Sequence, residues 1–218
     1  MNIDNPNLIP TLDSQNMLAH LQGLPDQLES AYQLGMQQPL PILSPIRAVI
    51  VAGMGGSAIG ADLLAAYGAP LCSVPLLVHR DYDLPAWAEG ATTLVIASSH
   101  SGNTEETLSA YHAALEHGCS TLAISTGGTL FQVAQDHDRA HWRFEHSGQP
   151  RAAVGFSFGL IAAALVQYGL LPDLQPELMR AASLMRELQG GFQPEVPVAM
   201  NRAKRDAGQL VGRWVTVF

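Results

Sequence analysis

The sequence predicts an α/β fold, a three-layer αβα sandwich built on a five-stranded parallel sheet, with helical extensions at both ends. Short apolar runs alternate with longer helical patterns through the middle of the chain, which is the order of a doubly wound sheet. The runs Val49–Val51 and Leu94–Ile96 are apolar without interruption, as in parallel strands that helices cover on both faces. Ligands bind beyond the carboxyl ends of such strands, so the segments that follow them are the first candidates for a site.

Five strands and four helices are predicted between residues 45 and 172, which we expect to form the core domain. The strands are Ala48–Ala52, Pro75–His79, Leu94–Ala97, Thr121–Ile124 and Trp142–Glu145. The helices are Ser57–Tyr67, Thr104–His117, Leu130–Asp136 and Val154–Gly169.

Residues 1–44 are predicted to be a helical lead-in. One helix is capped by Asp13 or Ser14 and ends at Gln22, and a second runs from Pro25 to Gln37. The prolines that follow stop helix formation before the first strand.

Residues 173–218 are predicted to be a helical linker with a short apolar ending. Helices are expected over Pro176–Leu188 and up to Leu210. The final segment, Trp214–Phe218, has the composition of a strand. It either pairs as an edge strand or is the first strand of a second domain outside this sequence, and we expect the second.

Composition and charge narrow the class of protein. Of 218 residues, 47% are hydrophobic and 14% are charged, so the chain can bury a substantial core. A formal net charge of −8 argues against a nucleic-acid surface, but not against an anionic ligand that local N–H groups and cations bind. No apolar run reaches the ~18 residues that span a bilayer, and the first residues lack the pattern of a signal peptide. Cys72 and Cys119 form neither a CxxC pair nor a disulfide framework, so we expect a cytoplasmic protein with reduced thiols.

The first candidate segment is Gly53–Gly60, which joins a predicted strand to a predicted helix. Its glycines let the backbone approach a ligand closely, and Ser57 is placed both to cap the helix and to donate to a phosphate or sugar oxygen. Gly53, Gly55 and Ala58 also match a relaxed dinucleotide-binding pattern. No Gly-Lys-Ser/Thr sequence follows, which excludes a Walker A loop. A purely structural strand-to-helix turn is the alternative.

The second candidate segment, Ser98–Thr107, is richer in hydrogen-bonding groups. Four hydroxyl side chains lie within its first seven residues, at the start of a predicted helix. A helix N-terminus presents unpaired N–H groups and partial positive charge, so this uncharged, oxygen-rich lining predicts a phosphate ester as the ligand. An ordinary N-cap by Asn103 or Thr104, with Glu105 and Glu106 complementing the helix dipole, is the alternative. That alternative leaves the serines unexplained.

Together the two segments resemble the signature loops of the sugar isomerase (SIS) domain, and most closely those of the bifunctional phosphoglucose/phosphomannose isomerase family. The likeness covers about residues 47–171. Its matching residues, in order, are Met54–Asp62, the Ser-x-Ser-Gly-Asn-Thr-Glu-Glu-Thr segment at 99–107, and Gln149–Gly155. The family usually has a tyrosine where this chain has His100, so the role of His100 stays open between ligand contact and loop packing.

The resemblance implies the residues of a site for a hexose 6-phosphate. Three hydroxyls would hold the phosphate: Ser99, Ser101 and Thr104. Three residues would line the sugar: Gly55, Gly56 and Ser57. The family also implies a cation at Arg151, and the position of Arg151 after the last predicted strand favours this role independently. A surface ion pair is the alternative for Arg151.

Aldose–ketose isomerisation opens the sugar ring and moves a proton between C1 and C2 through an enediol, which needs a general base and an acid. In the family these groups come from the C-terminal SIS half, with a histidine from the dimer partner. The resemblance therefore implies that this chain is the N-terminal half of a homodimeric isomerase, and that the base and acid lie beyond Phe218 in a second SIS domain. Glu105 and Glu106 lie beside the phosphate segment, but the helix dipole explains them better than a role as bases.

His137 and His141, with Asp136 and Asp138 beside them, have the spacing of a metal site on a helix. The predicted break between helix and strand separates the two histidines, so we expect no metal, and we expect no cofactor. Two other functions stay open. One is a non-catalytic module that senses a sugar phosphate, and the other is a dinucleotide-binding oxidoreductase in which Asp81 contacts the ribose.

Overall fold

The predicted five-stranded parallel sheet is confirmed by the structure, a computed structural model that describes residues 4–43 and 45–216. Every neighbouring pair of strands is parallel, and the order across the sheet is β2-β1-β3-β4-β5. The strands are β1 (Ala48–Ala52), β2 (Leu76–His79), β3 (Thr93–Ser99), β4 (Ser120–Ser125) and β5 (Ala140–Arg143).

The bounds predicted for the last strand, Trp142–Glu145, are wrong by two residues at each end. Pairing begins at Ala140 and ends at Arg143, which lies opposite Ser125, the last residue of β4. The apolar side chains that favoured a later strand continue past the point where the partner strand stops. The length of β4 therefore sets the end of β5.

Nine α-helices occur in the described parts of the chain, and none of them is both long and apolar enough to cross a membrane. The predicted helices of the core are all present, with ends within two residues of those expected. The helices are α1 (Ile9–Leu12), α2 (Met17–Gln22), α3 (Leu24–Gln37), α4 (Gly55–Gly68), α5 (Glu105–Glu116), α6 (Gly128–Asp136), α7 (Val154–Gln167), α8 (Gln175–Gly190) and α9 (Arg202–Leu210).

Alternate residues of the strands pack on opposite faces of the sheet, as the uninterrupted apolar runs predict. On one face Ile96 belongs to a cluster with Leu64 of α4 and Leu160 of α7. On the other face Ala97 belongs to a cluster with Tyr111 of α5. Helix α3 packs against α7, and α8 packs against α3. The expected three-layer sandwich is thus confirmed.

The strand order places both candidate segments at one crevice. Strand β1 is hydrogen-bonded to β2 on one side and to β3 on the other. The helices that follow β1 and β3, α4 and α5, therefore cover opposite faces of the sheet. At such a switch of direction the loops at the carboxyl ends of the two strands diverge and leave a crevice between them.

The predicted helices outside residues 45–172 are also present. The carboxylate of Asp13 accepts the N–H groups of Met17 and Leu18, each at 2.7 Å, so it satisfies the start of α2 as expected. The predicted strand at Trp214–Phe218 lies partly outside the described residues. Of its described part, residues 214–216 belong to no strand.

Helices α3 and α7 cross at positions where only glycine fits. A methyl group on Gly35 would lie 2.5 Å from Cβ of Ala163 and 3.2 Å from the ring of Trp142. A methyl group on Gly159 would lie 2.8 Å from Cβ of Ala31. Carbon atoms in packed interiors are separated by about 3.5–4.0 Å, so a side chain at either position would push the helices apart.

We predict that Gly35→Ala lowers the free energy of unfolding by about 1 to 2 kcal/mol, the cost of overpacking less the gain in helix propensity. Gly208→Ala in exposed α9 is the matched control, because nothing lies near its Cβ position. The free energy of unfolding of the control is expected to rise by about 0.5 to 1 kcal/mol. Urea unfolding measures both, and a Gly35→Ala protein as stable as the wild type would contradict the close crossing.

Candidate functional site

The two candidate segments are in direct contact at the carboxyl edge of the sheet. The backbone N–H of His100, after β3, donates to the hydroxyl of Ser57, after β1, at 3.2 Å. A Cβ atom on Gly53 would lie 2.8 Å from the carbonyl oxygen of Ser98. Residues far apart in the chain thus form one continuous surface, as the fold requires.

The loop formed by residues 98–104, here named the cradle loop, is held together by its own hydroxyls. Ser99 is 2% exposed; its Oγ accepts the N–H of Gly102 at 3.1 Å and lies 2.9 Å from Oγ1 of Thr104. Oγ of Ser101 accepts the N–H of Asn103 at 3.1 Å, and this serine is exposed. The three hydroxyls expected to hold a phosphate therefore lie within one turn, with Ser99 on its inner side.

Residues 126–129, which join β4 to the first turn of α6, form a bracing loop behind the cradle loop. Thr126 donates both its N–H and its hydroxyl to the carbonyl of His100, at 3.1 and 2.7 Å. The N–H and the hydroxyl of Thr129 both donate to Oδ1 of Asn103, at 2.9 Å. Gly102 has a φ of +70°, and a Cβ atom there would overlap the backbone of the bracing loop. The shape of the cradle loop is therefore set by a segment outside the sequence motif.

The N-terminus of α5 has no side-chain cap, so the alternative of an ordinary N-cap by Asn103 or Thr104 is not supported. Thr104 occupies the N-cap position with extended backbone, but its hydroxyl is paired with Ser99 instead. Asn103 is directed to the bracing loop. Among the described residues, no hydrogen bond engages the N–H groups of residues 105–107. Three donors at the positive end of a helix dipole are thus left for a ligand.

Helix α4 begins two residues earlier than expected, at Gly55, whose φ of +51° favours glycine. Ser57 consequently lies inside the first turn and does not cap the helix, which corrects the capping role predicted for it. A Cβ atom on Gly56 would lie 2.6 Å from the carbonyl oxygen of Pro150. Gly53 and Gly56 therefore allow neighbouring backbone segments to pack closely against them. This packing accounts for the two glycines without a bound dinucleotide.

Arg151 lies in a short 3-10 helix, Pro150–Ala152, that packs on the start of α4. The residue is exposed, and no hydrogen bond or ion pair within the described chain engages its guanidinium. The alternative of a surface ion pair is therefore not supported. We name residues 146–152 the Arg151 turn.

Gln27 of α3 fixes the end of the Arg151 turn, a role that the sequence did not indicate. Its Nε2 donates to the carbonyl of Ala152 at 2.9 Å, and its Oε1 accepts the N–H of Gly155 at 2.8 Å. The side chain thus caps α7 and holds the turn at once. No local pattern marks Gln27, because its partners follow more than a hundred residues later.

His100 has a packing partner that was also missed. Its Nε2 lies 2.9 Å from Nδ1 of His146, and the two rings meet edge to face. The rings of His20 and Phe144 lie within 6.0 Å of this pair. Burial lowers the pKa of His100; burial, followed by the neighbouring histidines, lowers the pKa of His146.

Of the side chains considered for other roles, Glu105 has a hydrogen-bond partner, and the two histidines His137 and His141 lie on separate elements. The carboxylate of Glu105 accepts the hydroxyl of Tyr82 at 3.2 Å, a bond that raises the pKa of the tyrosine. His137 ends α6, and His141 lies in β5 with its ring against Phe131. In residues 4–43 and 45–216 no group of three histidine, cysteine or carboxylate side chains is arranged to hold a metal ion.

Comparisons with known proteins relate this chain to phosphosugar isomerases. No protein-family model matches the chain. The bifunctional phosphoglucose/phosphomannose isomerase of Caldicellulosiruptor bescii is 39% identical over 190 residues, which are 87% of this chain and 56% of that protein. The chain spans about half the length of the curated relatives it matches.

Solved structures share the fold over most of the chain. A hypothetical protein from Thermus thermophilus has a TM-score of 0.62 at 20% identity, and the match covers 94% of this chain and 50% of that one. Tagatose-6-phosphate ketose/aldose isomerase from Escherichia coli has a TM-score of 0.50 at 17% identity, and the match covers 79% of this chain and 53% of that one. The chain is therefore a homologue of the bifunctional phosphoglucose/phosphomannose isomerases, and its α/β domain has the fold of SIS-type phosphosugar isomerases.

Proposed function

We propose that this chain binds a hexose 6-phosphate in the crevice between β1 and β3, as the substrate-binding part of an aldose–ketose isomerase. The observation that carries the proposal is the uncapped N-terminus of α5, with its three free N–H groups beside the cradle loop. The substrates of this reaction would be glucose 6-phosphate or mannose 6-phosphate and fructose 6-phosphate, as the names of the curated relatives suggest.

The hydroxyls of the cradle loop suit a phosphate that approaches the start of α5. Oγ of Ser99 accepts a backbone N–H, so its own proton is available for Oγ1 of Thr104. The proton of Thr104 is then available for a phosphate oxygen. Ser101 is exposed and accepts a single N–H, so its proton is available in the same way. Two hydroxyls and three N–H groups match the oxygen-rich surface of a phosphate monoester.

The sugar would extend toward the start of α4 and the Arg151 turn. The N–H groups of Gly55 and Gly56 have no partner within the described residues, and Ser57 lies beside them. Arg151 lies across this surface with its guanidinium unengaged by any described residue. Such a cation would add charge-assisted hydrogen bonds to an anionic ligand that the acidic chain otherwise repels.

The groups that move protons would come from elsewhere in the protein. Glu105 is paired with Tyr82 at the edge of the site, and the helix dipole accounts for an acidic residue in the first turn of α5. The relatives are nearly twice as long as the matched segment. We therefore place the base and acid in the part of these isomerases that the matched half leaves out. The homodimer and the cytoplasmic location stay predictions.

We predict that Ser101→Ala and Ser99→Ala each weaken the binding of glucose 6-phosphate about 5- to 10-fold, the loss of one hydrogen bond of about 1 to 1.5 kcal/mol. Ser99→Ala acts by loosening the cradle loop, and Ser101→Ala acts on the ligand. Ser73→Ala, exposed before β2 at the opposite edge of the sheet, is the matched control. Isothermal titration calorimetry measures the affinities, and unchanged binding in both variants would overturn the assignment.

Arg151→Ala is expected to weaken glucose 6-phosphate binding by roughly 10-fold or more, because a charge-assisted hydrogen bond contributes about 1.5 to 3 kcal/mol. The loss should shrink as salt increases, since ions screen an exposed cation. Arg47→Ala, exposed before β1 at the far edge of the sheet, is the control and should bind as the wild type does. Equal affinity of the two alanine variants would remove Arg151 from the site.

The 218-residue chain is expected to bind fructose 6-phosphate without converting it to an aldose. Deuterium uptake at C1 of fructose 6-phosphate, followed by NMR in heavy water, detects the proton transfer without a coupled assay. Uptake above the uncatalysed rate would place a base within this chain, and Glu106→Gln would then be the first variant to test.

A further inference from the structure

The Arg151 turn crosses the top of the sheet and is held at three places. Its end is clamped by Gln27, and the backbone of Pro150 and Arg151 packs on Gly56. Its beginning is held by the bond between Nδ1 of His146 and Nε2 of His100. Among the described contacts, only this last one links the turn directly to a side chain of the cradle loop.

We propose that His146 is a positioning residue for Arg151, and that its bond to His100 holds the Arg151 turn over the start of α4. This inference rests on the proposed binding of a sugar phosphate at the cradle loop. Loss of the bond would free the first half of the turn, and Arg151 would then spend less time beside the bound anion.

The surroundings make this contact well defined. Phe144 and Phe156 stack on each other at 4.8 Å and meet the histidine pair edge-on. The ring of His20, from α2, lies 5.4 Å from that of His146, and a Cβ atom on Gly148 would lie 2.7 Å from the His20 ring. The pair is thus flanked by other rings on several sides.

The bond between the two imidazoles depends on protonation. One ring must donate and the other must accept, so the pair tolerates one added proton but not two. Nε2 of His146 is buried without a partner among the described residues, so the N–H that this atom carries in the doubly protonated ring would have no acceptor. The titratable groups that face His146 are His100 and His20, and both disfavour an added proton on His146. Acid should therefore separate the two rings.

The direction of the pH effect follows from the lowered pKa of both histidines. As pH falls below about 6.5, the ordinary pKa of histidine, the released rings take up protons before the bonded ones do. The position of the Arg151 turn in which His146 is bonded to His100 is thus fully stabilised above that pH, and this stabilisation decreases below it.

Calorimetry with glucose 6-phosphate at pH 7.5 and 5.0 tests this inference on wild type, His146→Asn and His146→Phe. The asparagine keeps a hydrogen-bonding atom near Nδ1 and cannot become charged, whereas phenylalanine keeps only the ring. At pH 7.5 we expect His146→Asn within about 3-fold of wild type and His146→Phe about 10-fold weaker, as for Arg151→Ala. At pH 5.0 the affinity of the wild type for glucose 6-phosphate should fall about 5-fold relative to that of His146→Asn. Because the phosphate itself titrates equally in both measurements, its contribution cancels in this comparison.

A double-mutant cycle separates positioning from a direct contact with the ligand. Because His146 is proposed to act through Arg151, His146→Phe should lower the affinity for glucose 6-phosphate by less than about 2-fold when Arg151 is already alanine. His137→Asn, exposed at the end of α6, is the matched histidine control, and thermal unfolding at pH 7.5 verifies that each variant folds. If His146→Phe does not fold, the pH profile of His146→Asn decides.

The outcomes distinguish this inference from the proposed function. If Ser101→Ala and Arg151→Ala weaken binding but His146→Phe does not, or if its full effect persists without Arg151, the positioning role is wrong and the function stands. A wild-type affinity that rises in acid relative to His146→Asn would also overturn the positioning role, because the pair would then act as a cation. If the wild type binds no hexose 6-phosphate, the function and this inference both fail.

Discussion

Three backbone contacts at the carboxyl edge of the sheet leave no room for a Cβ atom. Gly53 meets the carbonyl of Ser98, Gly56 meets that of Pro150, and Gly102 meets the loop before α6. Any larger residue would push these segments apart and widen the crevice between β1 and β3. The close approach brings together the hydroxyls of one loop, the N–H groups at the starts of two helices and a cation from a third segment, which are the groups that we propose bind one ligand. The rest of the site depends on this packing.

Hydrogen bonds at this edge divide into those that build the loop and those that are left for a ligand. The hydroxyl of Ser99 and the amide of Asn103 are used inside the protein, where they hold the cradle loop in shape. The first N–H groups of α5 and the guanidinium of Arg151 are not used in this way by any described residue. A site whose frame is already bonded loses less conformational freedom when a ligand binds. The division is therefore what a preorganised anion site requires.

At the starts of α4 and α5, the hydroxyl that could cap the helix makes a different hydrogen bond. Thr104 stands at the N-cap position of α5, where threonine commonly caps, yet its hydroxyl pairs with Ser99. Ser57 was expected to cap α4, but the helix starts earlier and its hydroxyl accepts the N–H of His100. In both cases the hydroxyl is engaged by another part of the two candidate segments and not by the start of its own helix.

The sequence by itself determined the layers, the five strands and the two loops, because apolar periodicity, glycine and hydroxyl content are local properties that the chain displays directly. Only the tertiary structure decided that β1 lies between β2 and β3, which brings those loops to one crevice. It also decided which donors stay free, and it brought Gln27 and His146 to the Arg151 turn and the cradle loop. These contacts join residues 125 and 46 positions apart. Single hydrogen bonds at such separations leave no periodic pattern in the sequence, so they become visible only when the chain is folded.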